Sequence, residues 1–325
     1  MNKKVEYRIN NIRAVAILVV VFGHSIILYS STWNLYETLQ TSIILDNIKE
    51  IINIFQMPLF FSLSGYLFSF SRMEQPFGIF LKKKIRRLII PFIVIGAFWM
   101  IPIKMILGYV GYQNYNFIQA VVRMLLNQEN GHLWYLPTLF LLFIIFWIYK
   151  KLVRNSIKND GFLVILLLII GVFCWRLPSW NVPYLNYIYQ YAWSFAFGMM
   201  IPKLPQMKNV KYGTFLKIFI FLGVSVAVFI DVIFLDRNDS FISLMVVYLF
   251  YLIIPNKESV ILNAISRNSF GMYLFHSPLI YITFTFFPNA SPYKVVLLNF
   301  VVFGIISYYL TEFARKCKIG FIIGE

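Results

Sequence analysis

The first apolar stretch of the sequence carries two side chains that could act in one reaction, Arg13 and His24. Eleven positions separate them, which is close to three turns of a helix with about 3.6 residues per turn, so they lie on one face about 16 Å apart. One interpretation is a cation that binds an anionic cofactor at the membrane surface and a deeper histidine that acts as a base. The alternative is that Arg13 anchors the helix at the interface and His24 is a hydrogen-bonded packing residue.

Other ionisable or polar groups within apolar stretches are further candidates, because placing them in a bilayer is costly. Lys84 and Arg87 are one helical turn apart in the sequence KKKIRR and could bind a phosphate together, although such a cluster more often marks membrane topology. His276 could be a second active-site residue or a packing residue. Ser64 could take part in chemistry, but a buried serine bonded to its own helix is the more common case.

The sequence GHLWYLP places His132 and Trp134 at the start of another apolar stretch. Aromatic residues at such a boundary commonly form an interfacial belt, and they can also stack on a sugar ring. The candidates for substrate contact are therefore Ser64, His132, Trp134 and His276. Glu312 lies three residues before Arg315, and an ion pair along the helix accounts for it.

Composition indicates that the protein lies in a membrane. Hydrophobic residues make up 60% of the 325 residues and charged residues only 13%, whereas a soluble domain carries about 25% charge. The net charge of +16 comes from short basic clusters between apolar runs, which is the pattern of topology signals and not of nucleic-acid binding. Cys174 and Cys317 are predicted on opposite sides of the membrane, so a disulfide is not expected, and neither cysteine lies in a spacing typical of a metal site.

Segments of roughly 20 mostly apolar residues predict an all-α membrane protein with about ten transmembrane helices. Pro58 lies within the second of these segments and removes a backbone hydrogen bond there. The segment at 241–255 is short, and losing it would leave nine helices. The ten segments are 12–31, 51–70, 88–108, 133–149, 162–177, 184–202, 214–235, 241–255, 270–287 and 294–314.

Basic residues give the expected orientation. With the N-terminus in the cytoplasm, most of the 29 lysines and arginines fall on the inner side, as the positive-inside rule requires. Lys49 and Lys104 are among the few counted on the outer side. Both termini are then cytoplasmic, and residues 1–325 are expected to form a single integral domain of the plasma membrane, surrounded by lipid and without an appended soluble domain.

Several segments together resemble, in order, the motifs of the acyltransferase-3 family of integral membrane acyltransferases. Arg13 to His24 matches the family's arginine, ten residues and histidine. FQMPLFFSLSGYLF is similar to its second-helix segment, and KIRRLIIP to its basic motif, with Lys84 in place of the first arginine. HLWYLPTLF and MYLFHSP are similar to later segments. Asn10 and Gln56 stand where the family often has an acidic residue and a histidine. The pattern is also similar to the exopolysaccharide and fucose O-acetylase-like branch.

The resemblance implies an enzyme that moves an acyl group, usually acetyl, from cytoplasmic acyl-CoA to a hydroxyl of a cell-surface polysaccharide or a lipid-linked glycan precursor. His24 would be the catalytic residue, as a base or as a carrier of the acyl group itself. Arg13, Lys84 and Arg87 would bind the CoA co-substrate, and no permanently bound cofactor or metal is expected. A transporter or flippase of a glycan precursor or small molecule is the alternative, since many helices with buried polar groups also suit a carrier.

Overall fold

A computed structural model describes residues 3–30, 41–71, 74–153, 157–173, 182–204, 221–223 and 240–325, together with the single positions 226 and 228. Most of the predicted span 214–235 and Cys174 lie outside these residues. The other nine predicted spans all fall wholly or largely on described helices. Cys317 is a free and exposed cysteine.

The regular structure of the described residues is helical, and no strand occurs among them, which confirms the all-α expectation. Short 3-10 or π-helical segments extend or interrupt several α-helices. In chain order the α-helices are α1 (Lys3–Ile26), α2 (Ile43–Ser69), α3 (Phe77–Lys84), α4 (Ile90–Ile95), α5 (Ile101–Ile106), α6 (Phe117–Leu125), α7 (Tyr135–Leu152), α8 (Ile157–Phe173), α9 (Leu185–Met200), α10 (Ser240–Ile253), α11 (Val260–Phe286), α12 (Pro292–Leu298) and α13 (Gly304–Lys316).

Among the described residues, five helical stretches are long and apolar enough to cross a bilayer, which takes about 20 residues. These match five of the predicted segments, so the protein is a membrane protein. The full number of ten helices and the cytoplasmic position of both termini stay predictions. The five stretches are Tyr7–Tyr29, Ile43–Ser69, Phe77–Ile106, Gly131–Leu152 and Pro292–Lys316.

The chain divides into two compact units. The first unit comprises Met1–Ala16, Glu50–Pro76 and Leu141–Ser259, and the second comprises Ile17–Lys49, Phe77–Phe140 and Val260–Glu325.

In the first unit, α2 and α9 approach each other closely at two glycines. A Cβ atom at Gly65 would lie 2.0 Å from the carbonyl oxygen of Phe195, and one at Gly198 would lie 1.9 Å from that of Ser62. Any side chain at these positions would separate the two backbones. Small residues commonly permit such contacts between helices in membranes.

Pro58 of the first unit lies inside α2. Because proline has no N–H, the carbonyl of Ile54, four residues earlier, lacks its usual helical donor. The hydroxyl of Ser243, on α10, donates to this carbonyl at 2.5 Å. Ile54 also packs against Val246 and Leu249 of α10 in a buried apolar cluster. The proline therefore accounts for a polar hydrogen bond within an otherwise apolar contact between α2 and α10.

In the second unit, the stretch Phe77–Ile106 alternates between α-helix and π-helix. The π-helical segments are Ile85–Ile89 and Gly96–Met100, and a third one, Asn299–Phe303, joins α12 to α13. Segments of this kind are rare and often occur at functional sites. The first follows Lys84 directly, and the second contains Trp99, whose indole N–H donates to the carbonyl of Phe275 at 3.1 Å.

Candidate functional site

The three histidines of the chain come together in the second unit. His24 lies near the end of α1, His132 in the 3-10 helix Gly131–Trp134, and His276 in α11. The ring centroids of His24 and His276 are 4.9 Å apart, those of His132 and His276 are 5.4 Å apart, and those of His24 and His132 are 6.3 Å apart. The sequence identified each histidine separately, and the fold assembles them into one group, called here the histidine cluster.

Hydrogen bonds connect His24 and His276 to the backbone of α11. Nδ1 of His24 and Nε2 of His276 are 2.7 Å apart. Nδ1 of His276 lies 2.9 Å from the carbonyl oxygen of Met272. The two rings therefore form a chain that starts at His24 and ends on a main-chain carbonyl.

His132 is held by two bonds to α11. Pro278 lies inside this helix, so the carbonyl of Leu274, four residues earlier, lacks its helical donor. Nε2 of His132 donates to that carbonyl at 3.1 Å. The hydroxyl of Tyr273 donates in turn to the carbonyl of His132. The position of His132 thus follows from a proline two residues beyond His276.

The three histidines differ in their access to other molecules. His276 is 0% exposed and His132 is 5% exposed, whereas His24 is partly exposed. Nδ1 of His132 is buried and has no hydrogen-bond partner within the described residues. His24 is therefore the most exposed of the three histidines.

Two buried lysines belong to the same unit as the cluster. Lys49 and Lys104 are both buried in the second unit, and the ammonium of Lys104 would lie 3.2 Å from a Cβ atom at Gly131, the residue before His132. The ammonium of Lys104 lies 3.6 Å from a carboxylate oxygen of Glu129 and 4.0 Å from the ring centroid of Tyr109. Cations held in a poorly hydrated site can stabilise negative charge that develops in a reaction.

Two tyrosines also bind Glu129, one at its carboxylate and one at its main chain. The hydroxyl of Tyr109 donates to Oε1 of Glu129, and the hydroxyl of Tyr112 donates to its main-chain carbonyl, both at 3.2 Å. Burial raises the pKa of Tyr109 and of Tyr112, so both phenols keep their protons and act as donors. The buried lysine therefore sits in a fixed arrangement of one carboxylate and aromatic rings.

Sequence reasoning missed the two lysines as site residues, because it counted them as outer topology charges. A signal for Lys104 was available, since this residue lies inside the predicted span 88–108 in the sequence IPIKMIL. A charged side chain inside a span is a functional candidate by default. Lys49 lies before the predicted span 51–70, and its burial becomes visible only in the folded chain.

Lys84 and Arg87 lie at the junction of α3 with the π-helix Ile85–Ile89. Arg87 is exposed, and the ammonium of Lys84 lies 5.5 Å from the ring centroid of Phe80. Both cations belong to the second unit, as the histidine cluster does. The two basic side chains therefore lie within one turn of a continuous helical segment, which is the spacing that the sequence predicted.

Glu325 lies beside this basic segment. The side chain of Arg86 donates to the main-chain oxygen of Glu325 at 3.2 Å, and Arg315 donates to the Glu325 carboxylate at 2.6 Å. The hydrogen bond from Arg315 lowers the pKa of the Glu325 carboxyl. Arg315 also pairs with Glu312 at 2.8 Å, which confirms the ion pair expected from their spacing.

Arg13 and Ser64 belong to the first unit and are half-buried. Near Arg13, the side chain of Asn11 donates to the carbonyls of Pro255 and Lys257 at 3.0 and 2.9 Å, and so connects α1 to the segment that follows α10. Trp134 is half-buried in the same 3-10 helix as His132. Of the candidate site residues, the fold thus groups His24, His132 and His276 directly, with Trp134 on an adjoining position.

Comparison with known proteins agrees with the motifs. A family model described as an acyltransferase domain, of the acyltransferase-3 type, matches residues 6–311. The protein named glucans biosynthesis protein C is similar to this chain: the one from Shigella dysenteriae is 28% identical and the one from Escherichia coli K12 is 27% identical, each over 165 residues. Each alignment covers 48% of this chain and 41% of the relative. No solved structure matches the chain.

Proposed function

The chain belongs to the acyltransferase-3 family and is a membrane acyltransferase, and we propose that it transfers an acetyl group from acetyl-CoA to a hydroxyl of a cell-surface polysaccharide or lipid-linked glycan precursor. The name of the similar glucans biosynthesis proteins supports a glycan acceptor. The histidine cluster is the observation that carries the proposal. Membership in an acyltransferase family favours this function over the transporter or flippase.

His24 is the proposed base of the reaction. A thioester is already activated, so the enzyme mainly has to orient the two substrates and remove a proton. His24 takes the proton of the acceptor hydroxyl, whose oxygen forms a bond to the acetyl carbon. The bond from that carbon to the CoA sulfur breaks, and the thiolate leaves and takes up a proton. Lys49 and Lys104 favour the negative charge that develops on the carbonyl oxygen.

A covalent route uses the same residue. His24 would then attack the acetyl carbon with a ring nitrogen, release CoA, and pass the acetyl group to the acceptor hydroxyl. Both routes need a neutral His24 with one free nitrogen, and both end with the same acetylated product.

The proposed co-substrate is bound by basic residues and leaves after each reaction. Lys84 and Arg87 bind phosphates of CoA, because two neighbouring cations with an exposed guanidinium suit such groups. Arg13 is assigned to CoA from its place in the sequence motif. CoA is cytoplasmic, so Lys84 and Arg87 are expected on the inner side of the membrane. This is their place in the predicted arrangement of ten helices in the plasma membrane with both termini inside. Of the acceptor contacts predicted from the sequence, the partly exposed Trp134 offers a ring on which a sugar can stack. Ser64 and His132 stay predictions, and the predicted contact His276 is fully buried.

The proposal is tested with labelled acetyl-CoA and membranes that contain the full chain. His24→Ala should lower acetyl transfer to the glycan fraction by about 100-fold to 10,000-fold, the range typical of a general base. Ser25→Ala is the matched control, because Ser25 is buried next to His24 and, within the described part of the chain, its hydroxyl bonds its own helix at the carbonyl of Val21. Near wild-type transfer by a correctly inserted His24→Ala variant would overturn the role of His24.

A further inference from the structure

We infer that His276 is a positioning residue, which fixes the tautomer of His24 so that Nε2 is the nitrogen that reacts. The inference rests on the proposed role of His24 as the base, and it adds the reason why one nitrogen of that ring is free.

The direction of the hydrogen bonds carries the inference. The carbonyl of Met272 can only accept, so Nδ1 of His276, at 2.9 Å, bears the hydrogen. In a neutral imidazole the other nitrogen then has a lone pair, so Nε2 of His276 is an acceptor. Nδ1 of His24, at 2.7 Å from it, is therefore the donor. The remaining nitrogen of His24, Nε2, keeps its lone pair.

The end of the chain makes this order stable. The carbonyl of Met272 lies four residues before His276 on the same helix, so it is a fixed main-chain acceptor and not a mobile side chain. Reversing the order would leave Nδ1 of His276 as a bare lone pair facing a carbonyl oxygen, which loses one hydrogen bond in a buried site. The backbone of α11 thereby determines the protonation pattern of both rings.

The residues just before His276 hold its backbone in place. Tyr273 donates to the carbonyl of His132, the carbonyl of Leu274 accepts from His132, and the carbonyl of Phe275 accepts from Trp99. Three consecutive positions are thus bonded to side chains or backbone outside α11. Such support keeps a reactive constellation near its productive geometry.

Burial separates the roles of the two rings. His276 has no exposed surface, so it cannot take a proton from a substrate hydroxyl directly. When His24 gains a proton at Nε2, its Nδ1–H becomes a charge-assisted donor to His276, and that bond strengthens. His276 therefore stabilises the protonated form of His24 while remaining out of reach of the substrates.

Two substitutions at this position separate an acceptor from an apolar filler. His276→Leu removes the acceptor for Nδ1 of His24 and should lower kcat by about 100-fold, with an unchanged KM for acetyl-CoA. His276→Gln keeps a side-chain carbonyl that can accept from Nδ1 and should stay within about tenfold of wild type, because one neutral hydrogen bond replaces another. Equal kcat values for the folded Leu and Gln variants would overturn the inference.

The tautomer itself can be observed in the wild-type full chain, which has three histidines. With ring-¹⁵N-labelled histidine in lipid nanodiscs, His24 should show a protonated Nδ1 and an unprotonated Nε2, and its signals are assigned by their loss in His24→Ala. A wild-type spectrum with Nε2 protonated would overturn the inference even if His276→Leu failed to fold. Loss of activity in His24→Ala together with full activity in His276→Leu would reject only the positioning role, whereas full activity in His24→Ala would reject the proposed base.

Discussion

In each unit a proline leaves one helical carbonyl without its backbone donor, and a side chain from elsewhere in the unit donates to that carbonyl instead. Each such contact is called here a joint, and the two joints differ in the side chain that donates. In the first unit, Pro58 leaves the carbonyl of Ile54 to the hydroxyl of Ser243. In the second unit, Pro278 leaves the carbonyl of Leu274 to the imidazole of His132. The first joint lies among apolar side chains.

The second joint lies against two further histidines and near the buried side chain of Lys104, whose ammonium would lie 3.2 Å from a Cβ atom at Gly131. The same backbone feature therefore gives a structural contact in one place and orders the proposed site in the other. What decides the outcome is the donor that the sequence supplies and the groups that surround it.

The largest expected effect concerns the donor in the second unit. His132→Leu leaves the carbonyl of Leu274 without a partner and removes a ring that packs against both His24 and His276. Acetyl transfer should fall by about 100-fold, the loss expected when a reacting group is displaced by about 1 Å. The rate is measured with labelled acetyl-CoA and divided by the amount of folded protein.

The matching change in the first unit is Ser243→Ala, which should leave the rate per folded molecule unchanged. A similar loss of rate in both variants would mean that the two hydrogen bonds matter equally for the reaction, despite their different surroundings. A wild-type rate in folded His132→Leu would remove His132 from the site altogether.

Much of this arrangement could be predicted from sequence, because each histidine stands out within an apolar run. The motif order also indicated the family, since it follows local residue patterns. The convergence of His24, His132 and His276 could not be predicted, because the sequence does not reveal which helices pack together. Lys104 was visible as a charge inside a span, yet its pairing with Glu129 depends on the path of the chain between them.

The bond from His132 to Leu274 shows the same limit. The position of Pro278 in the sequence predicts that the carbonyl four residues earlier lacks its helical donor, because this effect of proline is local. Which side chain reaches this carbonyl depends on tertiary structure, and the donor is 142 positions away along the chain. Local chemistry was therefore predictable, and the choice of partner was not.

The next largest expected effect is on stability, and it distinguishes the ion pairs of the two units. In the second unit Lys104 is 2% exposed and its partner Glu129 is 18% exposed, whereas in the first unit Lys203 is 23% exposed and its partner Asp160 is buried. Glu129→Gln leaves a buried ammonium without its carboxylate. It should destabilise the protein by about 2 kcal/mol, below the roughly 3–5 kcal/mol for a fully buried broken pair, since Glu129 is partly solvated.

Thermal unfolding in one detergent measures this difference. Asp160→Asn in the first unit is the counterpart and should lower the midpoint by less, because the freed ammonium of Lys203 can reach water. Glu129→Gln should also lower the rate of the proposed acetyl transfer, because it frees the Lys104 ammonium that lies beside Gly131 and His132. An equal loss of stability in both variants, with no change in rate, would contradict the distinction between the two pairs.

The smallest expected effect isolates the joint of the first unit. Ser243→Ala removes the donor to the carbonyl of Ile54, and the free energy of unfolding should fall by about 1 kcal/mol, in the range of single hydrogen bonds between membrane helices. Pro58→Ala restores a backbone N–H that can donate to the same carbonyl. In that background Ser243→Ala should cost less, because the carbonyl then has a second donor.

The double-mutant cycle of Pro58 and Ser243 therefore tests the mechanism and not only the contact. A coupling of about 0.5 kcal/mol or more is expected for residues that share one hydrogen-bond partner. Additive effects would mean that Ser243 stabilises the helix pair by packing alone, without regard to the carbonyl that Pro58 opens. Since neither residue lies in the histidine cluster, acetyl transfer per folded molecule should stay constant through all four proteins of the cycle. A change in that rate would show that the first unit contributes to the reaction through its own proline joint.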